Sequence, residues 1–323
     1  MRPRVNKRRR GEDFFNNFDS VLSYAKTAKC DLVIHGGDLF FRSKVPQRIV
    51  DRVYQTLTNF VNSGIPIYIV PGNHERSRLP TSLFLIHPRI HVFNYPRVIT
   101  LMVHGAKINI GGFPFTRGNI NKIFLSELQR SGWYDHDAHI KILALHQVIE
   151  GATVGPAYFT FRNGEDVIAR HALPDDATVI LCGHIHRKQI LKKQIKNTSV
   201  QLPIIFSGSI ERTSFAEMYE KKGFFHLTFE LIKSNKWCLK KSKFIYLPTR
   251  PMHDIYIDAD SSIFRTLSYI KKTIIQLDQN SIIRFKSDKP IRGELVKIFT
   301  INKLKPLIPA SFNFTFDSRF FHQ

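Results

Sequence analysis

A strand, a helix and a second strand follow one another between Asp31 and Val70, and no other stretch constrains the fold as tightly. Asp31 to His35 is a short apolar run that reads as a buried strand. Pro46 opens a helix, where its missing N–H costs nothing because a first turn leaves that group unpaired. Val50, Val53, Leu57, Phe60 and Val61 recur at helical spacing and give the helix one apolar face, and Gly64 ends it. Pro66 to Val70 is a second buried run. Two strands joined by a helix of this length pair in parallel, and a parallel sheet needs cover on both faces. The chain is therefore expected to be an α/β protein.

The flanking sequence fits that class. Glu12 and Asp13 open a helix that carries Phe14, Phe15, Phe18, Val21, Leu22 and Ala25. Further strands are expected at Arg97–Val103, Lys107–Gly111, Ile140–Leu145 and Thr178–Cys182, with helix from Ile120 to Leu128. A β-rich stretch follows: Gln189–Ile195, Ile204–Phe206, Phe224–Leu231 and Trp237–Tyr246. Leu247-Pro248-Thr249-Arg250-Pro251 reads as a linker, which predicts one domain over 1–248 and a second over 249–323. The second is expected to be α+β. It has a strand at Met252–Ile257, a helix through Ile263, Leu267, Ile270, Ile274 and Leu277 capped by Asp260 or Ser261, and a strand at Ile282–Phe285. A short helix at Glu294–Phe299 and a last strand with Phe312, Phe314 and Phe316 in its core complete it.

Chemistry gathers where the strands stop. Asp38 follows the first strand, Asn73 and His74 the second, His146 the run Ile142–Leu145, and His184 with His186 the run that ends at Cys182. Ligands of open α/β sheets bind at the carboxyl ends of strands, so these residues can converge. In an extended segment His184 and His186 share a face, and Gly183 lets the backbone turn beneath them. A carboxylate, an amide oxygen and imidazoles, with no thiolate, suit manganese, iron or zinc. Singly, each has an ordinary structural role as a cap, a turn residue or a core histidine. Their recurrence at successive strand ends makes them candidate ligands.

Composition bounds the partners. Lysine and arginine number 48 against 26 acids, a formal charge of +22, which points to a polyanion and most simply to nucleic acid. No apolar run is long enough to span a membrane. The basic residues from Arg2 to Arg10 lead into Gly11-Glu12-Asp13 and not into an apolar segment, so no secretion signal is expected. Cys30, Cys182 and Cys238 are scattered, as in a protein of the reducing cytoplasm.

Gly37-Asp38, Gly72-Asn73-His74-Glu75, His146 and Gly183-His184-Ile185-His186 resemble the ordered motifs of calcineurin-like metallophosphoesterases. Arg10-Gly11-Glu12-Asp13-Phe14-Phe15, Gly36-Gly37-Asp38-Leu39-Phe40, Val70-Pro71-Gly72-Asn73-His74-Glu75 and Gly208-Ser209 resemble, within that superfamily, the SbcD-type DNA repair exonucleases. The resemblance covers residues 8 to 231, and the tail is similar to that branch's small capping domain. It implies a β-sandwich flanked by helices with a C-terminal α+β cap, and metal-dependent hydrolysis of DNA phosphodiesters. It implies two divalent metal ions, usually manganese, with Asp38 bridging both. Asn73, His146 and His184 would hold the second ion, and His186 would help hold the first. His74 would serve catalysis by stabilising the transition state or protonating the leaving oxygen. Partners implied are DNA, a coiled-coil ATPase subunit and a second copy of the chain.

Two departures bear on these expectations. Members begin with an apolar strand that ends Asp-x-His and supplies two ligands to the first metal, and no such strand precedes residue 8 here. Codons for it are expected upstream of Met1. The 323-residue form is expected to be poorly soluble, to bind about one metal ion tightly and to hydrolyse phosphodiesters negligibly. Many nucleases of the branch also carry a histidine where Phe41 stands, which leaves the exonuclease step attributed to that histidine without its residue. Arg8, Arg9 and Arg10, and Arg187 with Lys188, are candidate DNA-phosphate contacts. The alternatives are a phosphodiesterase or phosphatase for a small substrate, and a non-catalytic DNA-binding subunit with a degraded metal site.

Overall fold

A computed structural model describes residues 10–76, 78–80, 87–232 and 236–321. The chain separates into two compact units. One comprises Asn17–Glu211 and Glu220–Leu247; the other comprises Met1–Asn16, Arg212–Tyr219 and Pro248–Gln323.

In chain order, the first unit is built from most of α1 (Gly11–Thr27), β1 (Val33–His35), α2 (Gln47–Val61), β2 (Ile67–Ile69), β3 (Ile90–Val92), β4 (Arg97–Val103), β5 (Ala106–Gly112), α3 (Ile120–Arg130) and β6 (Ile140–Leu145). It continues with β7 (Val179–Cys182), β8 (Gln189–Gln194), β9 (Gln201–Phe206), β10 (Gly223–Ile232) and β11 (Lys236–Tyr246). The expected crossover is present: β1 and β2 are joined by α2 and pair in parallel, Val33 with Ile67 and His35 with Ile69. They form a three-stranded sheet in the order β1-β2-β3.

The strands that end at His146 and His184 belong to a different sheet, in the order β8-β9-β7-β6-β5-β4. The four strand ends therefore meet across two sheets, and not along the edge of one. Tyr68, Val70 and Phe93 from the first sheet pack with Ile108, Ile110, Ile140, Ile142 and Ala144 of the second. The opposite face of the second sheet, including Leu143, Leu145, Ile180 and Phe206, packs with Phe124 and Leu128 of α3. Alternate residues of β6 thus serve opposite cores, which is why its sequence is an unbroken apolar run. The result is the helix-flanked α/β sandwich expected of the metallophosphoesterase fold.

The second unit holds β12 (Met252–Tyr256), α4 (Ile263–Ile275), β13 (Ile282–Lys286) and β14 (Asn313–Phe316). Its strands are parallel, in the order β12-β13-β14. Phe285, Phe299, Phe312, Phe314 and Phe320 fill one core with Ile270 and Ile274 of α4. The cap of α4 is Ser262, whose hydroxyl accepts from Arg265 N–H at 3.4 Å, and not Asp260 or Ser261. The expected short helix near Glu294 is a 3-10 turn, Gly293–Ile298. Arg250 fastens this unit: Nε donates to Asn280 O at 2.6 Å, Nη1 to Asn313 Oδ1 at 2.6 Å and Nη2 to Ser311 O at 2.9 Å.

Among the described residues no helix is long and apolar enough to cross a membrane. Cys30, Cys182 and Cys238 form no disulfide.

Candidate metal centre

The loops that leave β1, β2, β6 and β7 bring Asp38, Asn73, His146 and His184 into mutual contact. His146 is 1% exposed. Its Nδ1 lies 2.6 Å from Gly36 O, and a carbonyl can only accept, so Nδ1 carries the proton. The Nε2 lone pair then faces the cluster, 3.0 Å from Asn73 Oδ1 and 3.3 Å from Asp38 Oδ2. His184 Nδ1 lies 2.9 Å from Asn73 Oδ1 and 3.3 Å from His146 Nε2. Phe115 walls the group, stacked on His184 at 5.5 Å and edge-on to His146 at 5.9 Å.

The loops come this close because two positions lack a side chain. A Cβ on Gly72 would lie 2.1 Å from Asp38 Oδ1, and one on Gly183 would lie 1.8 Å from Gly36 O. Buried Glu75 ties two of the loops together. Its Oε1 accepts from Phe40 N–H at 2.9 Å and its Oε2 from Gly72 N–H at 2.8 Å. His74 N–H adds a bond to Asp38 Oδ1 at 3.1 Å.

The charges follow from this packing. Burial opposes ionisation of Asp38, but the neighbouring His146 ring and the His74 N–H hold its carboxyl down at about 2. Burial, with the His146 ring close by, pushes His184 down to about 4. Burial likewise lowers His35, beside the cluster, to about 4. Burial raises Glu75 to about 7 although its backbone N–H donors oppose the rise. At neutral pH the cluster therefore presents an anionic carboxylate and a neutral His184, the protonation states that metal ligands need.

Donor atoms about 2.1 Å from a shared ion sit ~3.0 Å apart at octahedral right angles and ~3.4 Å apart at tetrahedral ones. The contacts among Asp38, Asn73, His146 and His184 span 2.9 to 3.3 Å, so the set fits one divalent cation. Among the described residues no three His, Cys, Asp or Glu side chains form such a group alone. The amide oxygen of Asn73, which touches both histidines, is what completes it.

The remaining candidates are placed as follows. His74 is exposed; its Nδ1 lies 3.2 Å from Phe41 O, and its Nε2 stands 4.0 Å from Asp38 Oδ2. His184 has a φ of +70°, so the segment after Cys182 is not extended and the period-two argument for His184 and His186 does not hold. The His186 carbonyl accepts from Ser209 N–H at 3.1 Å and Lys222 Nζ at 2.8 Å, and its ring is near enough for its charge to lower His184. Arg187 lies over Tyr158 at 4.2 Å, pairs with Glu220 at 3.0 Å and donates to Gly155 O at 2.7 Å. Lys188 lies over Phe244 at 4.3 Å. Arg10 pairs with Asp13 at 3.4 Å within the other unit, while Arg8 and Arg9 lie outside the described residues. Three participants were not singled out by sequence: His35, Glu75 as a clamp, and Phe115. Glu75 carried a signal, since an acid three residues after Gly72 in an otherwise polar turn can reach back to that residue's N–H.

The model of the calcineurin-like phosphoesterase family matches residues 11–188. The DNA double-strand break repair protein Mre11 of Archaeoglobus fulgidus is 23% identical over 278 residues, covering 78% of this chain and 58% of that protein. The SbcD component of the nuclease SbcCD of Bacillus subtilis is 24% identical over 234 residues, covering 62% of this chain and 56% of that protein. Mre11 of Methanocaldococcus jannaschii is 28% identical over 220 residues, covering 66% and 55%. The chain spans a little over half the length of these curated relatives. The family match takes in more than half of the chain and every residue of the cluster, and the chain belongs to the calcineurin-like phosphoesterase family.

Proposed function

We propose that the protein is a metal-dependent nuclease that hydrolyses DNA phosphodiesters during repair. The observation that carries this is the convergence of Asp38, Asn73, His146 and His184 from four strand ends, with His74 beside them. DNA is favoured over a small ester by the charge of +22 and by the repair proteins and nuclease component to which the chain is similar.

The family implies divalent metal ions. Asp38, Asn73, His146 and His184 would hold one, and Asp38 with His186 would contribute to a second. Manganese suits this oxygen and nitrogen set. Ions held there lower the pKa of water and neutralise charge at the phosphate. The chain's own residues do the rest. Gly36 O fixes the His146 ring so that Nε2 faces inward. Asn73 adds an oxygen without adding charge. With Nδ1–H bonded to Phe41 O, the imidazolium form of His74 would give its Nε2 proton to the leaving oxygen as the P–O bond breaks and a water oxygen takes its place on phosphorus. The capping role of residues 249–323, and a coiled-coil ATPase partner, belong to the same proposal.

The test uses the protein purified from its natural source. With manganese it should degrade DNA and hydrolyse a chromogenic phosphodiester far more slowly. Asn73→Ala and His146→Ala should each lose manganese by titration and lose cleavage. Efficient hydrolysis of the small ester without cleavage of DNA would overturn the assignment.

A further inference from the structure

Phe41 is 83% exposed, while its neighbour Phe40 is 4% exposed. Isolated exposed apolar residues are ordinary on protein surfaces. Phe41 differs in its setting. Its ring is stacked on that of His74, with centroids 5.3 Å apart and an angle of 21° between planes. Its carbonyl is the partner of His74 Nδ1 at 3.2 Å. Both sides of the loop are pinned, since Phe40 N–H is held by Glu75 and His74 N–H by Asp38. The ring is thus fixed at the mouth of the cluster, with one face on His74 and the bulk of its surface open.

Its surroundings are basic. Arg42 and Lys44 follow it in the loop after β1 and are exposed, as are Arg76 and Arg78 in the loop after β2. The acids of the two loops are turned away from solvent: Asp38 faces the metal-site residues and Glu75 is buried. An open aromatic face among cations is the combination that binds single-stranded nucleic acid, in which bases stack on rings and phosphates meet the charges. Duplex DNA keeps its bases stacked on each other and offers no free face.

We infer that Phe41 is a stacking platform for an unpaired nucleobase next to the scissile phosphate, with Arg42, Lys44, Arg76 and Arg78 as a phosphate-binding rim. The inference rests on the proposed action on DNA and specifies the form of substrate: a single strand or a frayed end. Phe41 is a positioning residue. It orders the strand across the cluster and holds the ring of His74 through its carbonyl.

Equilibrium binding without metal tests this, because it does not depend on turnover. Anisotropy would be read for a labelled single-stranded oligonucleotide and for an abasic strand of equal length. Wild type should bind the base-bearing strand more tightly. Phe41→Ala should weaken that binding roughly 10- to 100-fold, leave abasic binding unchanged, and keep the slope of log K against log salt. Phe41→Trp should restore affinity, and Arg42→Gln should reduce the slope by about one phosphate contact instead. Equal binding of the two strands by wild type, or undiminished binding by Phe41→Ala, overturns the platform while action on DNA stands. Failure of wild type to bind either strand in a salt-dependent way overturns the DNA assignment itself. Phe41 is almost wholly exposed, so matching thermal unfolding of the variants will confirm that the fold is intact.

Discussion

His74 and His146 are both histidines at the ends of strands, yet their surroundings give them different work. His146 is buried with its Nδ1 committed to Gly36 O, so only a lone pair faces the cluster. His74 is exposed, with Nε2 4.0 Å from Asp38 Oδ2, and in the proposed function its imidazolium form gives the Nε2 proton to the leaving oxygen. His74→Ala should therefore keep manganese and DNA binding and lose about 10²- to 10⁴-fold in turnover of the native enzyme. Loss of manganese in a titration would show it to be a ligand instead. His35 and His184 bear on stability. Both are lowered from 6.5 to about 4 in the folded chain, so between those values the unfolded state binds more protons. Their contribution is complete above pH 6.5 and is lost as pH falls toward 4. His35→Asn keeps an acceptor for Gly37 N–H, now bonded to His35 Nδ1 at 3.2 Å, and removes one titration. Denaturant unfolding in the presence of chelator should show a shallower loss over that window in the variant.

At the scale of elements, β2, β6 and β7 were legible because a strand buried on both faces is an unbroken apolar run, and α2 because a helix beside the sheet keeps one apolar stripe; β1 is an apolar run too, although it is only half-buried. The positions of Asp38, Asn73, His146 and His184 at strand ends were legible for the same reason. Three things were not. The division of β1 and β2 from β6 and β7 into separate sheets depends on strand order, which local sequence does not encode. The positive φ of His184 occurs next to the close approach of Gly183 to Gly36, a tertiary contact between segments far apart in the chain. Arg250 looked like a linker residue, yet it bonds five carbonyl and side-chain acceptors in its unit, including Asp13 Oδ2 at 3.2 Å and Asn313 Oδ1 at 2.6 Å. Its side chain is 11% exposed, so replacing it strands acceptors away from water. Arg250→Met should destabilise that unit by about 3 kcal/mol, measured by urea unfolding. Hydrogen exchange at Ile282–Lys286 should accelerate in parallel.

For the whole molecule the open quantity is what its charge does. The excess of 48 basic over 26 acidic residues is what a polyanion would meet. Several of the basic residues are already paired. Lys141 pairs with Asp176 at 2.6 Å, Lys193 with Asp175 at 2.6 Å, and Arg187 and Lys222 share Glu220. Such cations are unavailable to a strand, so the number of phosphates engaged should be far below the 48 basic residues. Counterion release gives a slope of log K against log salt of about −0.7 per phosphate for single strands, so about five contacts give ~−3.5 and ~100-fold weaker binding for a fourfold rise in salt. That slope, measured by anisotropy, counts the contacts independently of any cleavage assay. A steep, linear plot would mean that the charge is spent on a nucleic-acid backbone. A flat plot would mean that it is compositional, and would return the cluster of Asp38, Asn73, His146 and His184 to a family member acting on small phosphoesters.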